Sequence, residues 1–215
     1  MKNLTWKRKL RIATQVFRNE GMKIFWLKAF GAMKVYRRLL LIHRFLGEPT
    51  VQVSARIQVT VDLLRKNEMN EYFRFRPEAD PSEIRGRLEA GQWCFIVKHQ
   101  GDIVHASWAV TGRAWVDYLG VEIPLSPDEV YNYDSFTLLA FRGQNISPTR
   151  SLEMAKYFRK AGFRRIKATI VPENNQALWA AEKTGYRPFG MMGYVKIGPW
   201  RYNFYRKIIT PKRVV

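Results

Sequence analysis

The 215-residue chain contains one cysteine, Cys94, so no intrachain disulfide can brace it, and a reducing compartment fits best. Its three histidines and that cysteine show no metal-ligand spacing, and no metal is expected. Long apolar runs are also lacking. The longest, LLLIHRFL, is broken by His43 and Arg44 and is too short to span a bilayer. The opening MKNLTWKRKLRIATQVF mixes charged with apolar residues, so no secretory h-region is expected. Internal repeats and low-complexity segments are absent. Acidic residues are scarce at the start: residues 1–47 carry twelve Lys/Arg against one acid, Glu20. More than half of the +19 net charge therefore sits in under a quarter of the chain. Such a block seeks a phospholipid surface, nucleic acid or an acidic protein. Without a finger, basic zipper or helix-turn-helix signature, nucleic acid is the least favoured of these.

What is present suits a packed domain. Hydrophobic residues make up 47% and aromatics 14%. The length allows one sizeable domain plus an extension. Three- and four-residue apolar spacing predicts helices over residues 3–18 and 22–46, with a break at Asn19–Gly21 and a stop at Gly47–Pro49. Residues 1–50 thus read as a basic amphipathic helical extension. It either packs on the domain or, given Trp6, Phe25 and Trp26 among the lysines, lies on an anionic membrane surface.

Residues 56–209 read as the domain. ARIQVTV is strand-like, and 62–74 and 81–89 are helical, the second opened by Pro81. QWCFIVKHQGDIVHASWAV reads as a hairpin turning at KHQGD. A short strand pair lies within 113–130. VYNYDSFTLLA is a strand, 148–161 a helix ended by Gly162, RRIKATIV a strand, and NNQALWAAEKT a helix closed by Gly185. MMGYVKIGPWRYNFYRK is a final strand pair.

Between strand and helix sits RGQNIS, residues 142–147. Such a loop points backbone N–H groups and the positive end of a helix dipole at one place, where an anion is welcome. Arg142 adds a phosphate-matched charge, Gly143 a permissive backbone, Asn145 tolerance of left-handed φ, and Ser147 a good N-cap. A plain strand-to-helix turn explains the loop equally well.

The order of the whole segment 92–206 resembles the GNAT superfamily of acyl-CoA-dependent N-acyltransferases. TLLAFRGQNIS is similar to its V-x-P-x-x-R-G-x-G-x-G/A segment, and NNQALWAAEKTGYRPFG to N-x-x-A-x-x-x-Y-E-K-x-G-F. Asn174, Ala177, Glu182, Lys183, Gly185 and Tyr186 match the second pattern. The resemblance implies an α/β (α+β) fold with a central mixed, mostly antiparallel twisted sheet flanked by helices. It implies acetyl-CoA or another acyl-CoA as co-substrate. The backbone of Leu138, Leu139, Ala140 and Phe141 would pair with the pantetheine arm. Arg142, Gly143, Gln144, Asn145, Ile146 and Ser147 would hold the pyrophosphate, with Asn174 and Ala177 near the cofactor where strands 131–139 and 165–171 diverge. Two departures stand out: Asn145 and Ser147 replace glycine-type residues, and Ala181 stands where many members have a tyrosine that protonates the leaving thiolate.

A general base for an amine acceptor is sought on the strand before the loop, where Glu129, Tyr131, Tyr133 and Asp134 are available. Alternation puts Tyr131 and Tyr133 on one face and Asp134 on the other. Asp134 and Glu129 are the carboxylate candidates, against a salt-bridged role for each. His105 is a base candidate or a hydrogen-bonded core residue. Tyr194, Trp200 and Tyr202 line the acceptor pocket or pack in the core. The expected activity is transfer of an acyl group, most simply acetyl, to a small-molecule or saccharide amine by direct attack. The alternatives are an acyl-carrier-protein-dependent transferase and a degraded binding module held at a membrane or acidic partner through residues 1–47. A cytoplasmic location, peripheral at the inner membrane face, and a homodimer are consistent with this reading.

Overall fold

The computed structural model describes residues 35–49 and 52–208. Residues 3–18, and 22–46 as far as 34, fall outside the described residues. From Tyr36 onward the expected helix is instead a strand, β1 (Tyr36–Phe45). The reason lies in its surroundings. β1 sits inside the sheet and buries both faces, with Leu39 in the cluster of Tyr131 and Tyr194 and Ile42 in that of Val130 and Ile166. A strand covered on both sides loses its period-two alternation, and its apolar run then cannot be told from a buried helix.

The remaining elements follow in chain order. They are β2 (Thr60–Leu63), α1 (Met69–Phe75), α2 (Pro81–Glu89), β3 (Trp93–His99), β4 (Asp102–Val110), β5 (Arg113–Val116), β6 (Val121–Pro124) and β7 (Glu129–Thr137). After these come α3 (Ile146–Lys160), β8 (Arg165–Ile170), α4 (Asn175–Lys183), β9 (Arg187–Ile197) and β10 (Trp200–Lys207). Eight strands form one sheet in the order β10-β9-β1-β8-β7-β4-β3-β2; β5 and β6 pair separately. Every sheet pairing is antiparallel except β7 with β8. The mixed, mostly antiparallel sheet flanked by helices is the fold class the sequence pointed to. No helix among the described residues is long and apolar enough to cross a membrane.

Local chemistry explains several boundaries. β3 and β4 are joined by Gln100 and Gly101 alone, both with positive φ (50° and 92°), the backbone a two-residue hairpin turn demands. Pro81 opens α2 behind Asp80, whose carboxylate accepts from Ser82 N–H at 2.8 Å. The helix expected over 62–74 is divided into the end of β2, a 3₁₀ turn at Lys66–Glu68 and α1.

β1 and β9 approach closely at Gly193, which pairs with Arg38 on one side and Phe204 on the other. A Cβ there would overlap the Arg37 carbonyl and come within 2.7 Å of the Phe204 ring. Gly193→Ala is therefore expected to lower stability by about 1–3 kcal/mol in urea denaturation, the cost typical of forced overpacking. Unchanged stability would mean that no strand lies beside β9 at this point.

Candidate functional site

β7 and β8 pair over four positions, Glu129–Arg165 to Asn132–Ala168, and then separate. β7 is also bent there. Its register against β4 jumps from Trp108↔Tyr133 to Ala106↔Phe136, so Asp134 and Ser135 together face Ser107. Asp134 carries a positive φ of 45°, the mark of a bulge. Past the bulge a cleft of about 680 Å³ passes between the strands. On one side it is lined by Ser147 and Arg150 of α3, by Asn174, and by Ala177 and Ala181 of α4. On the other it is lined by Arg76, α2, Trp115 and Val116 of β5 with the following Asp117 and Tyr118, and Tyr131 to Ser135.

The phosphate-type loop enters α3 at the first side. Gly143 has φ +80° and Asn145 has φ +57°, so the asparagine does take the left-handed conformation. Asn145, rather than Ser147, is the N-cap residue, and its side chain reaches toward Ser54 O (3.5 Å) instead of capping the helix. Ile146 and Ser147 begin the helix, so their N–H groups have no intrahelical acceptor, and Pro148 has no N–H to satisfy. Arg142 is exposed, its Nε donating to Thr137 O at 3.2 Å. The expectation for Leu138–Phe141 needs correction. β7 ends at Thr137, and Leu139–Phe141 form a 3₁₀ turn in which Phe141 N–H donates to Leu138 O (3.0 Å). Leu138 N–H is bound to Val104 O (3.0 Å), and Leu138 and Phe141 border a separate cavity of about 360 Å³. Leu138 stays extended and in register with Val104, so it is Leu139–Phe141 that offer no extended edge to an added strand. Asn174 caps α4, its Oδ1 accepting from Ala177 N–H at 3.1 Å while the residue borders the cleft.

The base candidates separate sharply. Glu129 lies at the closed end of the β7–β8 pair, buried, with Lys167 at 2.6 Å and Arg165 at 3.1 Å, and it does not line the cleft. Burial alone would raise its pKa, but the hydrogen bonds from Lys167 and Ser126 N–H and the two positive charges hold it below the ordinary value. Asp134 does line the cleft, with one oxygen bound to Arg87 (2.7 Å) and the other facing Arg76 (3.4 Å). Arg87 also lies over the Tyr133 ring at 5.1 Å, so Tyr133 and Asp134 meet the same guanidinium and the expected alternation fails at the bulge. Tyr131 and Tyr133 do share a face, their rings stacked with centroids 6.3 Å apart. Tyr131 is bound to Thr169 Oγ1 at 2.6 Å, and burial pushes its pKa up to about 12. Tyr194 is buried away from the cleft, and Trp200 and Tyr202 are exposed on the edge strand β10.

His105 is fully buried beneath the cleft rather than in it. Its Nε2 lies 3.2 Å from Arg150 Nε. A guanidinium can only donate, so Nε2 accepts, and the ring proton sits on Nδ1, donating to Thr137 Oγ1 (2.7 Å). Arg150 is the residue that motif reading missed. It also donates to Asn132 Oδ1 (3.2 Å) and reaches Ser135 Oγ (3.4 Å), while Ser107 Oγ donates to Asn132 Oδ1 at 2.6 Å. All these partners are neutral. Burial lowers the Arg150 pKa to about 10, which leaves it charged at neutral pH. A signal for it was present: Ile146, Arg150, Met154 and Phe158 form an i, i+4 stripe in which one member is not apolar. Among the described residues no group of three or more His, Cys, Asp or Glu could hold a metal ion.

Neither a protein-family model nor a curated protein matches the sequence. Solved structures do match in shape. A GNAT-family acetyltransferase from Colwellia psychrerythraea superposes with a TM-score of 0.53 at 12% identity, over 81% of this chain and 57% of that protein. A GCN5-related glucosamine N-acetyltransferase region of a fungal multi-domain GH3 β-N-acetylglucosaminidase gives 0.51 at 11% identity, over 88% and 23%. The aminoglycoside N-acetyltransferase AAC(6')-Iy, solved with CoA, gives 0.48 at 18% identity, over 70% and 100%. The chain has the GNAT fold.

The buried imidazole makes a stability prediction. Burial, and then the Arg150 charge, push the His105 pKa well below 6.5. The unfolded chain therefore binds a proton below pH 6.5 that the folded chain refuses, and stability falls as pH drops through that value. The slope from this group is at most about 1.4 kcal/mol per pH unit. His43, also lowered, mainly by burial, adds a similar effect in any variant. Urea denaturation of His105→Gln between pH 7 and 5 should show a shallower loss than the unaltered chain; equal slopes would contradict the neutral, buried assignment.

Proposed function

We propose that this chain is an acyl-CoA-dependent N-acyltransferase, most simply an N-acetyltransferase acting on a small amine. The observation that carries the reading is the cleft through the β7–β8 splay, with an anion-suited helix start at one side and a carboxylate-rich mouth at the other. On the first side, Arg142 and the N–H groups of Ile146 and Ser147 would meet the CoA pyrophosphate, with the α3 dipole behind them. The pantetheine arm would run along the strand as far as Leu138, because the 3₁₀ turn beyond it presents no edge. At the bulge Asp134 and Ser135 have no Cα partners in β4, which frees backbone groups to polarise an acyl carbonyl. On the second side, Glu78, Asp80, Glu83, Asp117 and Asp134 line the cleft of a chain whose net charge is +19. Arg76 and Arg87 pair with Glu78, Glu83 and Asp134, and the excess of acids over these two arginines draws in an ammonium.

In the reaction the amine nitrogen, once deprotonated, attacks the thioester carbon directly, the C–S bond breaks, and the CoA sulfur departs. Positioning supplies much of the rate. Asp134 attracts and orients the acceptor, with Tyr131 beside it on β7. The fold comparisons support this reading at the level of architecture, and the acceptor and acyl length are part of the proposal.

Calorimetric titration with acetyl-CoA tests it. Arg142→Ala should weaken binding by about ten- to a hundredfold, the range of one charge-assisted contact, without loss of stability. No binding to the unaltered protein would overturn the reading. Asp134→Asn should raise KM for the amine several-fold while leaving acetyl-CoA affinity unchanged; the reverse pattern would place Asp134 on the cofactor side.

A further inference from the structure

The α4 side of the cleft is built of small residues: Ala177, Ala180 and Ala181 all face it. Most hydroxyls on this wall are engaged. Ser151 Oγ lies 3.4 Å from Thr184 Oγ1, and Thr184 is held by the carbonyls of Ala181 (3.0 Å) and Ala180 (3.3 Å). Tyr186 differs. It lines the cleft, it is 7% exposed, and its phenolic oxygen is buried with no partner in good hydrogen-bond geometry, the Ser151 hydroxyl lying close by. The chain turns sharply at Gly185 (φ +82°), and Tyr186 N–H donates to Ala181 O at 3.1 Å, which folds the tyrosine back against α4. A buried hydroxyl without a well-formed hydrogen bond costs about 1–3 kcal/mol, so a phenol kept in this state beside a cleft is poised for a group that arrives in the cleft.

The chemistry proposed above names such a group. When the C–S bond breaks, the electron pair stays on sulfur, and an anion forms in the cleft. Arg150 borders the same cleft and carries a buried positive charge whose partners are all neutral. A serine hydroxyl is a far weaker acid than a phenol, so Ser147 at the loop is the poorer donor. We propose that Tyr186 is the general acid of the reaction, passing its phenolic proton to the departing sulfur while the Arg150 charge steadies the developing thiolate. The phenolate recovers a proton from the one the amine nitrogen loses, so the sum is amine plus acyl thioester to amide plus free thiol. Burial pushes the phenol pKa up and Arg150 and Ser151 pull against it, with a net rise that keeps the group protonated at neutral pH. The inference rests on the acyltransferase reading.

The test follows free thiol released from acetyl-CoA with glucosamine and spermidine as acceptors. It compares the unaltered protein, Tyr186→Phe, and a protein carrying a fluorinated tyrosine at 186. Tyr186→Phe should lose about a hundredfold in kcat or more, the range typical of a removed general acid. Its acetyl-CoA affinity should be unchanged, and its stability close to that of the unaltered protein, because the hydroxyl removed makes no well-formed hydrogen bond in the fold. The fluorinated phenol is more acidic and should move the alkaline fall of kcat to lower pH, which a packing role would not do. Unchanged kcat in Tyr186→Phe would overturn the inference alone, as would an unmoved alkaline limb. Absence of thiol release from an unaltered protein that binds acetyl-CoA would overturn it too. Failure of the unaltered protein to bind acetyl-CoA would overturn the reading on which it rests.

Discussion

The parallel ladder between β7 and β8 runs from Glu129–Arg165 to Asn132–Ala168 and stops there. The cleft depends on that stop. At the closed end, Glu129 ties Lys167 and Arg165 to the start of β7, so the two strands are locked where they pair. At the open end, the bulge at Asp134–Ser135 turns β7 away from β8. A sheet that stayed paired would satisfy its own backbone groups; one that parts leaves them to be met by water or a ligand. The two ends serve opposite purposes, and this is why Glu129, a plausible base by sequence, is a fastener in the structure.

A second constraint keeps the loop in place. The α3 start is bound to β4 and β7 through Arg150, His105, Asn132, Ser135 and Thr137. A buried guanidinium among neutral partners is costly, and an apolar side chain at this helix position would pack more simply. Here the guanidinium couples the phosphate-type loop to the strand that carries the bulge. In the proposed reaction, the anion site and the place of the acyl carbonyl would be set by one hydrogen-bonded network.

Much of this could be read in the sequence where local chemistry decides. Pro81 fixes the start of α2, Gln100–Gly101 the β3–β4 turn, Gly185 the end of α4, and Asn145 the left-handed entry to α3. Those residues act on the backbone within a few positions, so their effect travels with them. What escaped depends on distant partners. Tyr36–Phe45 is a strand because β8 and β9 lie on either side of it, and nothing within its ten residues says so. The end of β7 follows from the 3₁₀ turn at Leu139–Phe141, which the apolar run leading into it does not announce. Alternation failed at Asp134 because a bulge adds one residue to one strand. Arg150 was visible as a misfit in an apolar stripe, but its partners on β4 and β7 were not.

Hydrogen exchange of the full chain with and without acetyl-CoA tests the central claim most directly. If the splay is the cofactor site, acetyl-CoA should slow exchange at residues 133–137, at the α3 start near Ile146 and Ser147, and around Asn174 to Ala181. Protection confined to other strands, or none at saturating acetyl-CoA, would contradict a site built on the parting of β7 and β8.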